Sequence, residues 1–212
     1  MRKASALALL LVLIAGPVAA GPREDARAAL ANRGDVEARR GAVRTLAEAG
    51  TMADAPALLD VLRDPDARVR QLAEQALWEI WSRSGNDEVD DLLRAGVIEM
   101  QHGQLEASID TFTEVIRRQP EFAEGWNKRA TVYYLIGEYR KSAADCDEVL
   151  KRNPSHFGAL SGYGMIWLRL DEPARALERF EQALAVNPNL ESVRETIDGL
   201  RALLIQQRRN SI

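Results

Sequence analysis

The sequence predicts an all-α fold, a solenoid of repeated helix-turn-helix units, and two observations support this. First, alanine, leucine and arginine are abundant, and aromatic residues make up only 6 % of the 212 residues, a composition that favours helices. Second, Pro120, Pro154 and Pro188 are spaced 34 residues apart, and each follows an amphipathic segment that a proline would end. A fixed period of this length is typical of repeat proteins.

Alignment of the chain backwards from each proline gives three units, residues 89–122, 123–156 and 157–190. The second helix of each unit has apolar or small residues at the same positions, which form one stripe along the helix. The stripe residues are Leu105, Ser108, Ile109, Phe112, Val115 and Ile116 in the first unit, Tyr139, Ser142, Ala143, Cys146, Val149 and Leu150 in the second, and Pro173, Ala176, Leu177, Phe180, Ala183 and Leu184 in the third.

The first helix of each unit has a bulky residue followed four positions later by a small one. These pairs are Leu92/Gly96, Trp126/Ala130 and Leu160/Gly164. Gly103 and Gly137 lie where the two helices of a unit are joined, a place where the backbone often needs a positive φ. In the third unit, Asp171 replaces this glycine.

The second unit has the most complete set of motif residues: Trp126, Ala130, Tyr133, Gly137, Tyr139, Ala143 and Pro154. With these residues, the segment 89–188 resembles the tetratricopeptide repeat (TPR) family. The resemblance implies a right-handed α-solenoid of three TPR units. An amphipathic segment within residues 189–212 predicts a C-terminal capping helix, which would cover the last apolar face of the solenoid.

Residues 21–85 follow a different pattern, in which residues 35–46 match residues 66–77 at a shift of 31. This part of the chain resembles a HEAT-type helical repeat, and Asp66 is expected to cap its helix. The resemblance implies a buried ladder of aspartates and arginines, with Asp35, Asp66, Arg39 and Arg70 as the candidates.

Fewer than two HEAT-like units are present, so we expect this block to stack on the TPR units rather than stand alone. Trp78 and Trp81 lie at its end and are expected to fill the seam between the two parts. The small polar residues 82–86 predict the junction.

Charge and composition argue against several classes of function. The net charge is −4, and it becomes −6 if Arg2 and Lys3 are removed with the first twenty residues, so nucleic-acid binding is not expected. The single cysteine, Cys146, excludes an intramolecular disulfide and a cysteine-based zinc site. His102 and His156 lie 54 residues apart without a ligand pattern. We therefore predict no catalytic residue, no metal and no cofactor.

The remaining chemistry-bearing residues have structural interpretations. The acidic residues Asp145, Asp147 and Glu148 are expected to form a solvated helix face, and Cys146 within the stripe is expected to be a buried small side chain. His156 precedes a helix and is expected to cap it. These interpretations favour a binding protein over an enzyme.

The N-terminus predicts export. Basic residues at positions 2 and 3 precede the apolar residues 4–15, and small residues end at Ala20, which is the pattern of a secretory signal peptide over residues 1–20. An uncleaved membrane anchor is the alternative, but Gly16 and Pro17 interrupt the apolar run. We expect cleavage after Ala20, no membrane span in the mature chain, and a periplasmic location if the source is bacterial or secretion otherwise.

The TPR resemblance also implies a binding surface, because the first helices of TPR units line a concave groove that takes an extended peptide or a helix. The groove positions carried onto this sequence are Leu93, Val97, Met100, Asn127, Thr131, Tyr134, Ser161, Met165 and Leu168. A subfamily that binds C-terminal carboxylates has lysine or arginine at three of these positions. Here they are Leu93, Asn127 and Ser161, so that ligand is not expected.

The predicted function is therefore that of an exported adaptor or scaffold, whose groove binds a protein or peptide partner, in particular another envelope protein. Two alternatives remain open. One is a structural envelope protein that self-associates as a homo-oligomer. The other is a small-ligand or enzyme-accessory protein with its site at the seam near Trp78, Trp81 and Trp126.

Overall fold

A computed structural model of the chain describes residues 21–210, which form α-helices joined by turns and one short 3-10 turn. The first part, which we call the N-terminal block (residues 21–86), contains four helices: α1 (Pro22–Leu30), α2 (Val36–Ala49), α3 (Ala55–Val61) and α4 (Ala67–Trp81). Asp35 and Asp66 cap α2 and α4, since their carboxylates accept hydrogen bonds of 2.9 Å from the backbone N–H groups of Ala38 and Val69.

Three helix pairs and a final helix follow. The pairs are α5 (Asp87–Gln101) with α6 (Leu105–Arg118), α7 (Ala123–Leu135) with α8 (Tyr139–Arg152), and α9 (Phe157–Arg169) with α10 (Pro173–Val186). The final helix is α11 (Glu191–Asn210), whose Val193, Ile197 and Leu200 are buried against α10. The predicted all-α solenoid is thus confirmed.

The turn inside each pair has a residue with positive φ at the same place. Gly103 has φ of 74° and Gly137 has φ of 81°, while Asp171 adopts φ of 58° in the third pair. Aspartate is one of the few residues other than glycine that tolerate this conformation. The departure from the glycine pattern therefore preserves the geometry of the turn.

Each pair is held together by a small residue on the first helix and a stripe residue on the second. An added Cβ on Gly96 would lie 2.6 Å from the Phe112 ring, and one on Gly164 would lie 2.6 Å from the Phe180 ring. In the middle pair the equivalent residues are Ala130 and Cys146, both buried. In the two outer pairs glycine thus faces phenylalanine, whereas in the middle pair alanine faces the smaller cysteine.

The N-terminal block lies across the loops that follow all three pairs, rather than on the first pair only. Near the end of α4, the Ser84 carbonyl accepts a 2.9 Å hydrogen bond from Gln119 Nε2. In the middle, Trp81 stacks on His156 with ring centroids 4.3 Å apart. Towards the start of α4, Glu74 Oε2 accepts a 3.1 Å hydrogen bond from Asn187 Nδ2.

Gln119, Asn153 and Asn187, the residues before the three periodic prolines, all lie at this contact. Asn187 is fully buried and Asn153 is 6 % exposed. Because the loops repeat every 34 residues, one straight helix meets the same position of each unit in turn. The block and the repeats therefore share one interface along the length of α4.

The predicted aspartate–arginine ladder is wrong in its partners. Arg39 is buried, but it donates to Asp64 at 2.7 Å rather than to Asp35 or Asp66. Asp35 is exposed, and Asp66, already a helix cap, pairs with Arg40 at 2.8 Å. Arg70 donates to the Asn189 side chain at 2.8 Å and so helps attach the block to the repeats. The HEAT-type identity of this block stays a prediction.

The predicted signal peptide lies outside the described residues and stays a prediction as well. Among the helices that lie within residues 21–210, none combines the length and the apolar character needed to cross a bilayer.

Candidate functional site

Four of the nine predicted groove residues lie around one pocket between α7 and α9. Asn127, Thr131, Tyr134 and Met165 line this pocket, which has a volume of 160 Å³ and which we call the groove pocket. Met165 leaves 42 % of its surface exposed at the rim. A pocket of this size can take one apolar side chain of a partner.

The other five predicted residues lie elsewhere. Leu93 and Val97 line a second, wider cavity of 760 Å³ between the end of α4 and α5, but Leu93 is only 4 % exposed. Met100 packs on the core between α5 and α6, and Leu168 packs on α10 and α11. The Ser161 hydroxyl donates to the Phe157 carbonyl at 2.8 Å. None of these five lines the groove pocket.

The inner wall of the groove pocket includes residues that the sequence analysis did not assign to the site. Ala130, Ser142 and Cys146 line it, and the Ser142 hydroxyl donates to the Ala130 carbonyl at 2.7 Å. Burial raises the pKa of the Cys146 thiol to about 12, so the thiol is neutral and a poor nucleophile. The signal that could have found these residues was the small size of Cys146 at a position that holds phenylalanine in both other units.

The polar groups at the rim already have partners within the protein. Asn127 Nδ2 donates to Glu124 Oε2 at 3.1 Å, and the Thr131 hydroxyl donates to the Asn127 carbonyl at 2.9 Å. The Tyr134 hydroxyl accepts a 3.1 Å hydrogen bond from Arg169 Nε. These bonds fix the rim and leave an opening that is mainly apolar.

A buried charged cluster lies next to the groove pocket. Glu124 and His156 are both fully buried, and Glu124 Oε2 lies 3.0 Å from His156 Nε2. Lys128 Nζ lies 2.9 Å from Glu124 Oε1. Burial acts to raise the pKa of Glu124, but the hydrogen bond with His156 and the charge of Lys128 outweigh it and keep that pKa below 4.5. The sequence analysis did not identify this cluster.

His156 itself caps α9, as predicted, since its Nδ1 accepts a 3.1 Å hydrogen bond from the Ala159 N–H. With one ring nitrogen on the helix and the other on Glu124, the imidazole links α7 to α9. This fixes the two helices that form the groove pocket relative to each other.

Two predictions for the charged and aromatic residues are wrong. Asp145 is only 4 % exposed and forms a bidentate ion pair with Arg129 at 2.8 Å, so it does not belong to a solvated face. Trp126 does not join the rings of Trp78 and Trp81 at the seam; Arg129 and Arg152 lie over its ring instead, 5.1 and 4.9 Å from the centroid. Across residues 21–210, no cluster of three or more His, Cys, Asp or Glu side chains is arranged to hold a metal ion.

Comparison with known proteins agrees with the geometry of the helix pairs. The sequence pattern of the tetratricopeptide repeat matches residues 93–157 and 136–191. A TPR repeat-containing protein of Rhizobium etli is 32 % identical over 146 residues, which are 69 % of this chain and 71 % of that protein. The chain belongs to the tetratricopeptide repeat family.

Solved TPR domains have a similar fold. The Sgt2 TPR domain from Aspergillus fumigatus has a TM-score of 0.56 at 19 % identity and covers 60 % of this chain and 85 % of its own. The first TPR of Spaghetti (RPAP3), bound to an HSP90 peptide, has a TM-score of 0.54 at 20 % identity and covers 56 % of this chain and 94 % of its own. The chain spans only 16 % and 14 % of two further, much longer relatives.

Proposed function

We propose that this TPR protein is a non-catalytic adaptor that binds a segment of another protein by inserting an apolar side chain into the groove pocket. The observation that carries the proposal is the pocket itself, a 160 Å³ hollow with Met165 exposed at its rim. Methionine adapts its shape to a partner, and aromatic residues such as Tyr134 are enriched at protein interfaces.

The pocket is a property of the middle unit. Phe112 and Phe180 fill the space beside their glycines in the outer units, where both rings are buried. Cys146 at the equivalent position is several carbon atoms smaller, and both Cys146 and Ala130 line the hollow. We infer that the smaller pair leaves the space into which the side chain of the partner fits.

The related TPR structures support a peptide as the partner. The RPAP3 domain with the same fold is bound to an HSP90 peptide. In the present chain, Leu93, Asn127 and Ser161 have no positive charge to offer a terminal carboxylate. Leu93 is also buried, Asn127 donates to Glu124, and Ser161 donates within its own helix. This favours anchoring by an internal apolar residue of the partner.

We also propose that the protein is exported and that its partner is another envelope protein. The basic and apolar pattern of residues 1–20 supports this. N-terminal sequencing of the protein isolated from its native cells tests it. A mature chain that begins at Gly21 is expected, and an intact Met1 on a cytoplasmic protein would contradict it.

Site-specific photo-crosslinking in the native cell tests the adaptor role. A benzophenone amino acid replaces Met165 at the rim, and the matched control carries it at Ala144, an exposed position of α8 that does not line the groove pocket. A discrete adduct with one other protein from position 165, absent from position 144, is expected. No adduct from position 165, or equal adducts from both positions, would contradict the proposal. An adduct of the chain with itself would instead indicate self-association.

A further inference from the structure

Another, smaller cavity lies at the interface between the N-terminal block and the repeats, away from the groove pocket. It has a volume of 140 Å³ and lies where the end of α4 meets the loops after α6 and α8. Trp81 and Arg83 line it from the N-terminal block, and Phe122, Arg152 and Asn153 line it from the repeats. We call it the seam cavity.

Two buried donors on its wall have no acceptor within residues 21–210. Trp81 is 3 % exposed and Asn153 is 6 % exposed, and neither Trp81 Nε1 nor Asn153 Nδ2 has a hydrogen-bond partner among the described residues. Buried N–H groups are nearly always bonded, because burying one without an acceptor is costly. The two donors come from different parts of the chain and line the same cavity, which points to a shared acceptor.

The size of the seam cavity favours an acceptor larger than one water molecule. Its 140 Å³ is about ten times the space that a single water needs. Phe122 and the exposed Met52 add apolar surface to the lining. A small molecule with one polar end and a short apolar part fits this combination.

Two arginines and one acidic residue line the seam cavity. The Arg83 guanidinium donates to the carbonyls of Ala47 and Gly50 and is 3.5 Å from Glu79, and Arg152 pairs with Glu148 and donates to the Pro120 carbonyl. The one acidic residue on the wall, Glu121, is 86 % exposed, so solvent screens its charge. Both arginines are thus already paired, and the groups of the wall that still need an acceptor are the buried donors Trp81 Nε1 and Asn153 Nδ2.

We propose that the seam cavity binds a small carboxylate, whose oxygens accept hydrogen bonds from Trp81 Nε1 and Asn153 Nδ2. A carboxylate has several acceptor sites on two oxygens, which is enough to satisfy both donors at once. Hydrogen bonds to an ionised acceptor are also the stronger kind. The carboxylate is supplied either by a free short-chain acid or by the side chain of a glutamate in another protein.

NMR titration of the full mature chain tests the site. The four tryptophan indole N–H signals are assigned by single Trp→Phe substitutions, and propionate is the probe, with propionamide as the neutral control of the same shape. The Trp81 signal is expected to shift saturably with propionate only, while the Trp78, Trp126 and Trp167 signals stay in place. A blocked Gly-Glu-Gly peptide forms a second arm: saturation by the peptide identifies a glutamate side chain, and saturation by propionate alone identifies a free acid.

Two variants localise the binding. Trp81→Phe keeps an aromatic ring but removes the indole N–H together with the five-membered part of the ring. With backbone amide shifts as the readout, it is expected to weaken propionate binding by about tenfold or more. Trp78→Phe makes the same change in the neighbouring ring, 5.5 Å away and outside the cavity lining, and is expected to leave binding unchanged. Asn153→Ala provides a second loss variant if Trp81→Phe fails to fold. The absence of a saturable Trp81 shift in both arms, an equal response to propionamide, or unchanged binding in Trp81→Phe or Asn153→Ala would overturn the proposal.

Discussion

Trp78 of α4 packs directly on the backbone of Gly158 in α9, so closely that a Cβ on Gly158 would lie 2.2 Å from Cη2 of the indole. This contact joins the N-terminal block to the middle of the TPR array. It requires glycine, because any side chain at position 158 would push the indole or the helix away.

We expect Gly158→Ala to destabilise the protein by about 1–3 kcal/mol through overpacking against Trp78. The matched control is Gly162→Ala, one turn further along α9, where an added Cβ meets nothing within 4 Å. There the change should stabilise the helix by about 0.5–1 kcal/mol. Urea unfolding of both variants measures the difference, and equal effects from the two substitutions would contradict the contact.

In each helix pair, a small residue of the first helix faces one residue of the second, which predicts an energetic coupling between positions 130 and 146. Cys146→Phe alone is expected to cost about 1–3 kcal/mol, because the ring would clash with the Cβ of Ala130. The double variant Ala130→Gly/Cys146→Phe reproduces the pairs Gly96/Phe112 and Gly164/Phe180 and should recover most of this loss. A double-mutant cycle by chemical denaturation checks it. Strictly additive changes in the free energy of unfolding would contradict a coupling between the two positions.

The buried cluster of Glu124 predicts a dependence of stability on pH. The pKa of Glu124 is lower in the folded protein than its ordinary value of 4.5, so its contribution to stability is complete above about pH 4.5 and is lost as the pH falls further. We expect Glu124→Gln to flatten the fall of the unfolding free energy between neutral pH and about pH 3. Urea titrations at a series of pH values measure this slope.

The control for this prediction is Glu114→Gln. Arg117 and Arg118 lower the pKa of Glu114 to about 2, but its side chain is 31 % exposed and the pairs are screened by solvent. The slope should therefore change little in this variant. A wild-type slope in Glu124→Gln would contradict the role assigned to the buried cluster.

The interface along α4 predicts that the two parts of the chain stay together after the linker is cut. Phe157 is 1 % exposed, with its ring 5.4 Å from Trp78 and 4.9 Å from Trp81. With a protease site inserted after the exposed Gly85, the cleaved wild-type fragments should co-elute in size-exclusion chromatography. Phe157→Ala, a change that costs about 3–5 kcal/mol in a core, should release the N-terminal fragment.

Phe180→Ala is the matched control for the interface. Phe180 is equally buried, at 2 % exposure, but it packs inside the third helix pair rather than on α4. The cleaved fragments of this variant should still co-elute. Separation of the wild-type fragments would contradict a continuous interface.

The repeat architecture could be predicted from the sequence because its signals are local. A proline that ends a helix, a residue with positive φ in the turn and a stripe along one helix each act over a few residues and recur every 34. The side-on attachment of the N-terminal block could not be predicted, because Glu74 and Asn187 are 113 positions apart and Glu74 is a polar residue outside the 34-residue period. The sequence also does not show that Trp126 packs on Arg129 and Arg152, because these contacts form only when the chain folds.

The candidate site was predictable to the extent that the TPR resemblance places first-helix positions on a groove. Asn127, Thr131, Tyr134 and Met165 follow that rule, and they line the groove pocket. Leu93 and Leu168 do not line it, because each packs in an apolar core at one end of the array. The pocket wall depends on Cys146, and its importance appears only when the side-chain sizes of the three units are compared.

The crosslinking yield from position 165 in the Ala130→Gly/Cys146→Phe background tests most directly whether the groove pocket holds the partner. This double variant should keep the fold while the phenylalanine ring fills the groove pocket. We expect the adduct seen in the wild-type background to disappear, although the melting temperature and helix content stay close to those of the wild type. An undiminished adduct in the folded double variant would contradict the claim that the pocket of the middle unit holds the partner.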